Sequence, residues 1–135
     1  MGPQDKLSEA LEDYLETILE LQKTKTVARS KDIAEKLDIK RGSVTGMLKK
    51  LAKQALINYE PYGYVTLTPK GEKIAKAVES RHLFLKDFLF RILEVDKKTA
   101  DKTACQMEHA MNEETFSKFK AFVKRLDTCP HREQD

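Results

Sequence analysis

The hydrophobic period of this chain changes twice, and the two changes leave few folds open. Up to about residue 54, apolar residues recur three or four apart, the spacing of amphipathic helices. Over Leu56-Ile57-Asn58-Tyr59-Glu60 and Tyr64-Val65-Thr66-Leu67 the period falls to two. Both runs are rich in β-branched and aromatic residues, and Pro61-Tyr62-Gly63 marks a turn between them. From Thr68 the helical spacing returns and lasts to Leu126. The expected fold is mainly α: an N-terminal winged helix-turn-helix with a small β-hairpin wing, then a helical domain. The boundary is expected near residue 70, giving regions 1–70 and 71–135.

The first helix is predicted from about Ser8 to Lys23, with Leu7, Leu11, Tyr14, Leu15, Ile18 and Leu21 on one apolar stripe. Glu9, Asp13, Glu16 and Glu20 gather on the opposite face. That face reads either as solvated or, at Asp13 and Glu16, as a binder of something cationic. Ser30 is a suitable N-cap for the next helix, whose inner side is Ile33, Ala34 and Leu37. Asp38-Ile39-Lys40-Arg41-Gly42 reads as the turn. A basic second helix follows from Ser43 to about Gln54, with Val44, Met47, Leu48 and Leu51 inward. Two short helices, a tight turn and a hairpin behind them match a DNA-binding arrangement.

Charge agrees with this. Residues 27–81 carry 12 basic and 6 acidic side chains, whereas residues 1–26 carry 3 and 6, and residues 82–135 carry 10 of each. Such asymmetry points to a nucleic-acid partner for the middle of the chain. No run approaches 18 apolar residues, so no membrane span is expected. The start of the chain lacks a secretory pattern. Cys105 and Cys129 are too few for a disulfide scaffold. The expected compartment is a reducing cytoplasm.

Thr68 and Pro69 begin a long helix predicted to reach Leu93, with Ile74, Ala75, Val78, Leu85, Phe88, Leu89 and Ile92 at helical spacing. His82 lies on the same stripe, as a core, interface or metal-binding histidine. Glu94-Val95-Asp96 breaks the pattern. A helix from about Thr99 to Met111 then carries Cys105-x-x-Glu108-His109, three donor types on one face. A thiol, a carboxylate and an imidazole make half of a transition-metal site; the same spacing suits a small buried cysteine beside two solvated residues. Asn112 can cap a last helix bearing Phe116, Phe119 and Phe122. With Phe88 and Phe90 these rings suit packing within one chain or between two copies. Cys129 and His131 sit in a polar tail.

Taken in order, Asp13-Tyr14-Leu15-Glu16, Asp32-Ile33-Ala34-Glu35, Ser43-Val44-Thr45, Leu67-Thr68-Pro69-Lys70-Gly71, Arg81-His82 and Cys105-x-x-Glu108-His109 resemble the metal-dependent transcriptional repressors of the diphtheria toxin repressor class. The likeness covers about residues 8–127 and leans toward the short manganese-transport-regulator branch, without an SH3-like domain. It implies a cytoplasmic homodimer, a helical dimerisation domain after the winged helix, and operator binding permitted by metal. It implies metal-ligand roles for Asp13, Glu16, His82, Cys105, Glu108 and His109. The chain mixes two branches. The manganese branch typically has an acidic residue where Cys105 stands; the iron branch has a cysteine there but a thioether at the position of Asp13. Lys86 and Asp101 occupy ancillary-ligand positions of the iron branch, and Leu85 that of an extra acidic ligand in the manganese branch.

The resemblance implies a linkage mechanism in which metal favours the DNA-competent state. Ser30, Lys31, Lys40, Arg41, Ser43, Thr45, Lys50 and Lys53 are the expected DNA-facing residues. Of these, Ser43 and Thr45 are suited to base edges and the basic residues to phosphates. The expected partners are double-stranded operator DNA and a second copy, with no membrane and no organic substrate. Thiolate draws the metal preference toward Fe(II), with Mn(II) next on account of the carboxylates. A metalloenzyme is disfavoured, because the chain offers no activated nucleophile or phosphate loop. The competing reading is a metal-independent winged-helix regulator that senses an organic ligand or a thiol oxidant through Cys105.

Overall fold

The computed structural model describes residues 8–60 and 63–127. The described residues divide into two units between Ser80 and Arg81. The first unit contains helices α1 (Glu9–Lys25), α2 (Ser30–Leu37) and α3 (Arg41–Lys53), strands β1 (Ala28–Arg29), β2 (Ile57–Tyr59) and β3 (Tyr64–Leu67), and most of α4 (Pro69–Asp87). The second contains the end of α4, a π-helical turn (Phe88–Ile92), α5 (Lys97–Ala110) and α6 (Glu113–Asp127).

In the first unit the core is built by the predicted stripes. Leu11, Tyr14, Leu15, Ile18 and Leu21 of α1 are buried with Ile33 and Ala34 of α2 and Val44, Leu48 and Leu51 of α3. Burial holds the Tyr14 hydroxyl above its ordinary pKa. Ser8 caps α1, its hydroxyl accepting from the Leu11 N–H at 3.2 Å. Glu9 and Glu12 at one end and Lys23 and Lys25 at the other suit the helix dipole.

The sheet has three strands, not the two of a lone hairpin. β1 pairs antiparallel with β3, through Ala28 opposite Val65 and Arg29 opposite Tyr64, in the order β1-β3-β2. A two-residue strand shows no period, so its sequence carries no signal. The Pro61-Tyr62 part of the predicted turn lies outside the described residues. Gly63 has φ +92°, a left-handed conformation that glycine adopts without strain.

The helix-turn-helix is tighter than expected. Ser30 is the first residue of α2 rather than its cap; Arg29, extended, holds the cap position without a side-chain bond. The turn is only Asp38–Lys40, and α3 begins at Arg41, not Ser43. Asp38 takes up the reversal in a left-handed conformation, φ 57° and ψ 50°, which aspartate tolerates better than most residues. The Lys40 carbonyl accepts from Ser43 and Val44 N–H groups at 3.1 and 3.3 Å, so Gly42 is inside the helix.

The Leu67–Gly71 motif locks α4 to the end of α3. The Thr68 hydroxyl donates to the Ala55 carbonyl at 2.7 Å and accepts from the Gly71 N–H at 3.0 Å. A Cβ at Gly71 would fall 1.9 Å from the Leu56 carbonyl oxygen, a contact only glycine avoids.

In the second unit the long helix does not run regularly to Leu93. Its final turn widens into the π segment, where the Leu93 N–H donates to the Phe88 carbonyl at 3.2 Å. Asp96 caps α5, accepting from the Thr99 N–H at 3.0 Å, so α5 starts at Lys97 rather than Thr99. That hydrogen bond holds the Asp96 carboxyl below its ordinary pKa. Asn112 caps α6 as expected, accepting from the Thr115 N–H at 2.7 Å. Leu85, Leu89, Ala100 and Ala104 form the core of this unit. The phenylalanines divide. Phe84, Phe88, Phe116 and Phe119 stack edge-on with centroids 4.9–5.9 Å apart, while Phe90 and Phe122 are about half exposed.

Candidate metal centre and nucleic-acid interface

In the second unit the Cys-x-x-Glu-His face forms as the spacing predicts. Cys105, Glu108 and His109 each offer a ligand atom within 4.8 Å of the others. Helix periodicity explains that part. Packing of α4 on α5 adds His82, whose Nδ1 stands 2.7 Å from Glu108 Oε1. Glu108 is 1% exposed, and its second oxygen, Oε2, accepts no hydrogen bond. His109 Nε2 is 3.4 Å from that oxygen, near enough to interact electrostatically though no hydrogen bond forms. Burying a carboxylate with an unsatisfied oxygen is costly. A divalent cation among thiolate, carboxylate and imidazole donors removes that cost, so these residues fit a transition metal.

Two further residues hold this cluster, and the sequence marked neither for that purpose. The Arg81 guanidinium donates to the Glu108 and Met111 carbonyls, both at 2.9 Å, and lies 4.9 Å over the Phe116 ring. It thereby ties the end of α5 to α4. Asp101 Oδ1 lies 2.9 Å from His82 Nε2 and 3.4 Å from Lys86 Nζ. The His82 hydrogen bond, then Lys86, hold the Asp101 carboxyl below its ordinary pKa. Asp13 and Glu16 stand one turn apart on α1 in the first unit, both partly buried. Cys129 and His131 lie outside the described residues.

The first unit carries a basic pocket of about 440 Å³ lined by Arg29, Ser30, Lys31, Arg41, Thr45, Tyr59 and Gly63. It collects the start of α2, the start of α3 and the wing. Four of the expected DNA-facing residues meet there: Ser30, Lys31, Arg41 and Thr45. Lys40, Ser43, Lys50 and Lys53 are exposed on or beside α3 but do not line it. Thr45 donates back to the Arg41 carbonyl at 3.5 Å. Arg29 and Tyr59 are new members. Arg29 donates to the Tyr64 hydroxyl at 3.4 Å, and its guanidinium lies 5.1 Å from that ring's centroid. Its place beside the helix-turn-helix was the available clue, but the strand that positions it has no sequence signature. A Cβ at Gly42 or Gly46 would meet nothing within 4 Å. Neither glycine of α3 is therefore required by packing, and glycine inside a helix costs about 1 kcal/mol.

Residues 6–65 match the family model of the iron dependent repressor N-terminal DNA-binding domain, and residues 68–135 that of the iron dependent repressor metal-binding and dimerisation domain. The chain belongs to the iron-dependent repressor family. The family is one of metal-dependent transcriptional regulators, not enzymes. An uncharacterised helix-turn-helix-type transcriptional regulator of Methanocaldococcus jannaschii is 39% identical over 121 residues, covering 89% of this chain and 97% of that protein. The regulator MntR of Bacillus subtilis is 36% identical over 126 residues, covering 93% of this chain and 88% of that one. Among solved structures, IdeR of T. acidophilum is similar with TM-score 0.75 and 30% identity over 93% of this chain. The manganese regulator SloR gives TM-score 0.74 and 27% identity over 97% of this chain. The chain spans 58% of the length of each of these two structures. Among the described residues, no helix is long and apolar enough to cross a membrane.

Proposed function

We propose that this chain is a cytoplasmic, divalent-metal-dependent repressor that binds double-stranded operator DNA as a homodimer and controls metal-homeostasis genes. The observation that carries the metal part is Glu108: a buried carboxylate with one oxygen on His82 and the other unsatisfied, beside Cys105 and His109. The tandem family match supplies the DNA-binding and dimerisation parts.

In this reading Asp13 and Glu16 join His82, Cys105, Glu108 and His109 as ligands. A bound cation supplies the positive charge that Asp13, Glu16 and Glu108 lack. Without it, those carboxylates repel one another when brought together. With it, α1 is held in one orientation, and α1 shares its core with α2 and α3. The recognition helices of a dimer then reach successive major grooves together. The basic pocket takes backbone phosphate, through Arg29, Lys31 and Arg41. Ser43 and Thr45 read base edges, while Lys40, Lys50 and Lys53 add phosphate contacts.

The thiolate of Cys105 favours Fe(II), with Mn(II) next; similar solved structures named as a manganese regulator and a manganese-dependent transcriptional repressor keep Mn(II) in view. Metal-resolved binding to the DNA upstream of the protein's own gene, measured without oxygen by fluorescence anisotropy, tests the proposal. Binding with Fe(II) or Mn(II) and its loss on chelation is the expected result. Equal affinity with and without chelator rejects metal dependence and favours the metal-independent regulator.

A further inference from the structure

We propose that Asp101 is a positioning residue for the metal centre, fixing the His82 ring so that Nδ1 faces the cation. The inference rests on His82 and Glu108 being ligands, as proposed above. His82 lies between two carboxylates on α5: its Nδ1 is 2.7 Å from Glu108 Oε1 and its Nε2 is 2.9 Å from Asp101 Oδ1. Asp101 and Glu108 are two helical turns apart and so present to the same side of α5.

The two carboxylates differ in environment. The Glu108 side chain has no exposure, whereas that of Asp101 is 56% exposed. A solvated carboxylate beside Lys86 is an acceptor only, so the ring nitrogen facing it carries a hydrogen. Nδ1 faces Glu108 on the buried side, so a metal arriving there displaces the hydrogen between Nδ1 and Glu108 while Asp101 keeps the one on Nε2. Lys86, one turn after His82 on α4, lies 3.4 Å from the same Asp101 Oδ1 and pairs with that carboxylate. A metal-bound imidazole whose second nitrogen donates to a carboxylate is held in orientation and made a better donor, and loss of such a partner typically costs about 10–100-fold in affinity.

The test compares wild type, Asp101→Ala and Asp101→Asn by anaerobic Co(II) and Zn(II) titration against a competing chelator. Long-range proton–nitrogen NMR of the His82 ring is recorded in the Zn(II)-loaded and the metal-free protein. Wild type should show a protected Nε2–H in both states and Nδ1 coordinated in the loaded one. Asp101→Ala should lose about 10–100-fold in metal affinity and lose the protected Nε2–H even without metal. Asp101→Asn keeps a neutral acceptor and should lose less. Both variants should stay folded, because Asp101 is largely exposed. Unchanged affinity and unchanged His82 signals in Asp101→Ala would overturn the positioning role and leave the metal reading intact. No Co(II) or Zn(II) binding by wild type would overturn the metal reading and this inference with it.

Discussion

Glu108 and His82 are joined by one short contact, 2.7 Å from Oε1 to Nδ1, while the other Glu108 oxygen is buried without a hydrogen bond. The pair has the form of a site built for a charge that neither residue supplies alone. A carboxylate in such a place destabilises the chain until a cation joins it.

Glu108→Gln should therefore separate stability from metal binding. The amide keeps the shape and removes the buried charge, so the metal-free protein should melt at the wild-type temperature or above it. The rise in melting temperature that wild type shows with added metal, a mass-action effect, should disappear. Thermal melts with and without Mn(II) or Co(II) measure both. A Gln variant that keeps the full metal-induced rise would remove Glu108 from the ligand set.

Cys105 should set metal preference. Glutamate at this position supplies a hard oxygen on the same helical face, so Cys105→Glu should shift activation of DNA binding toward Mn(II) relative to Fe(II) or Co(II). The wild-type Co(II) complex should show a thiolate-to-metal charge-transfer band that the variant lacks. Absence of the band in wild type would make Cys105 a packing residue.

Arg29 should act on DNA without reading sequence. It lines the basic pocket and is held by Tyr64. Arg29→Ala should weaken binding to all sequences alike and lower the salt slope by about 1, as should Lys50→Ala. Thr45→Ala should instead relax discrimination at one base pair. Salt titrations on operator and scrambled duplexes decide this, and an unchanged slope for Arg29→Ala would take the pocket out of the interface.

Leu83, Phe90, Leu93 and Phe122 of the second unit are each about half exposed, whereas Phe84, Phe88, Phe116 and Phe119 are occupied with one another. The exposed set should serve the dimer. Sedimentation at micromolar concentration should give a dimer for wild type and a monomer for the Phe90→Glu, Phe122→Glu double variant. A monomeric wild type would contradict the assignment.

Local periodicity determined a good deal of this protein by itself. The six α-helices of the described residues, the β2–β3 hairpin, the stripes of α1 and α3 and the common face of Cys105, Glu108 and His109 all follow from residues within a few positions of each other. Capping was legible where the capping side chain is close in sequence, as at Thr68 and Asn112. The Ser30 hydroxyl does not cap α2, and Asp96, which breaks the apolar pattern, also caps α5. Backbone conformation near a turn depends on what the next element packs against. Tertiary structure decided the rest. Strand β1 exists because β3 offers it an edge, and it brings Arg29 into the basic pocket. His82 reaches Glu108 and Asp101 across 26 and 19 residues of chain, because α4 packs on α5. No period of 3.6 or 2 encodes which helix will lie against which. The donor types were therefore written in the sequence, and the partners that orient them were chosen by packing.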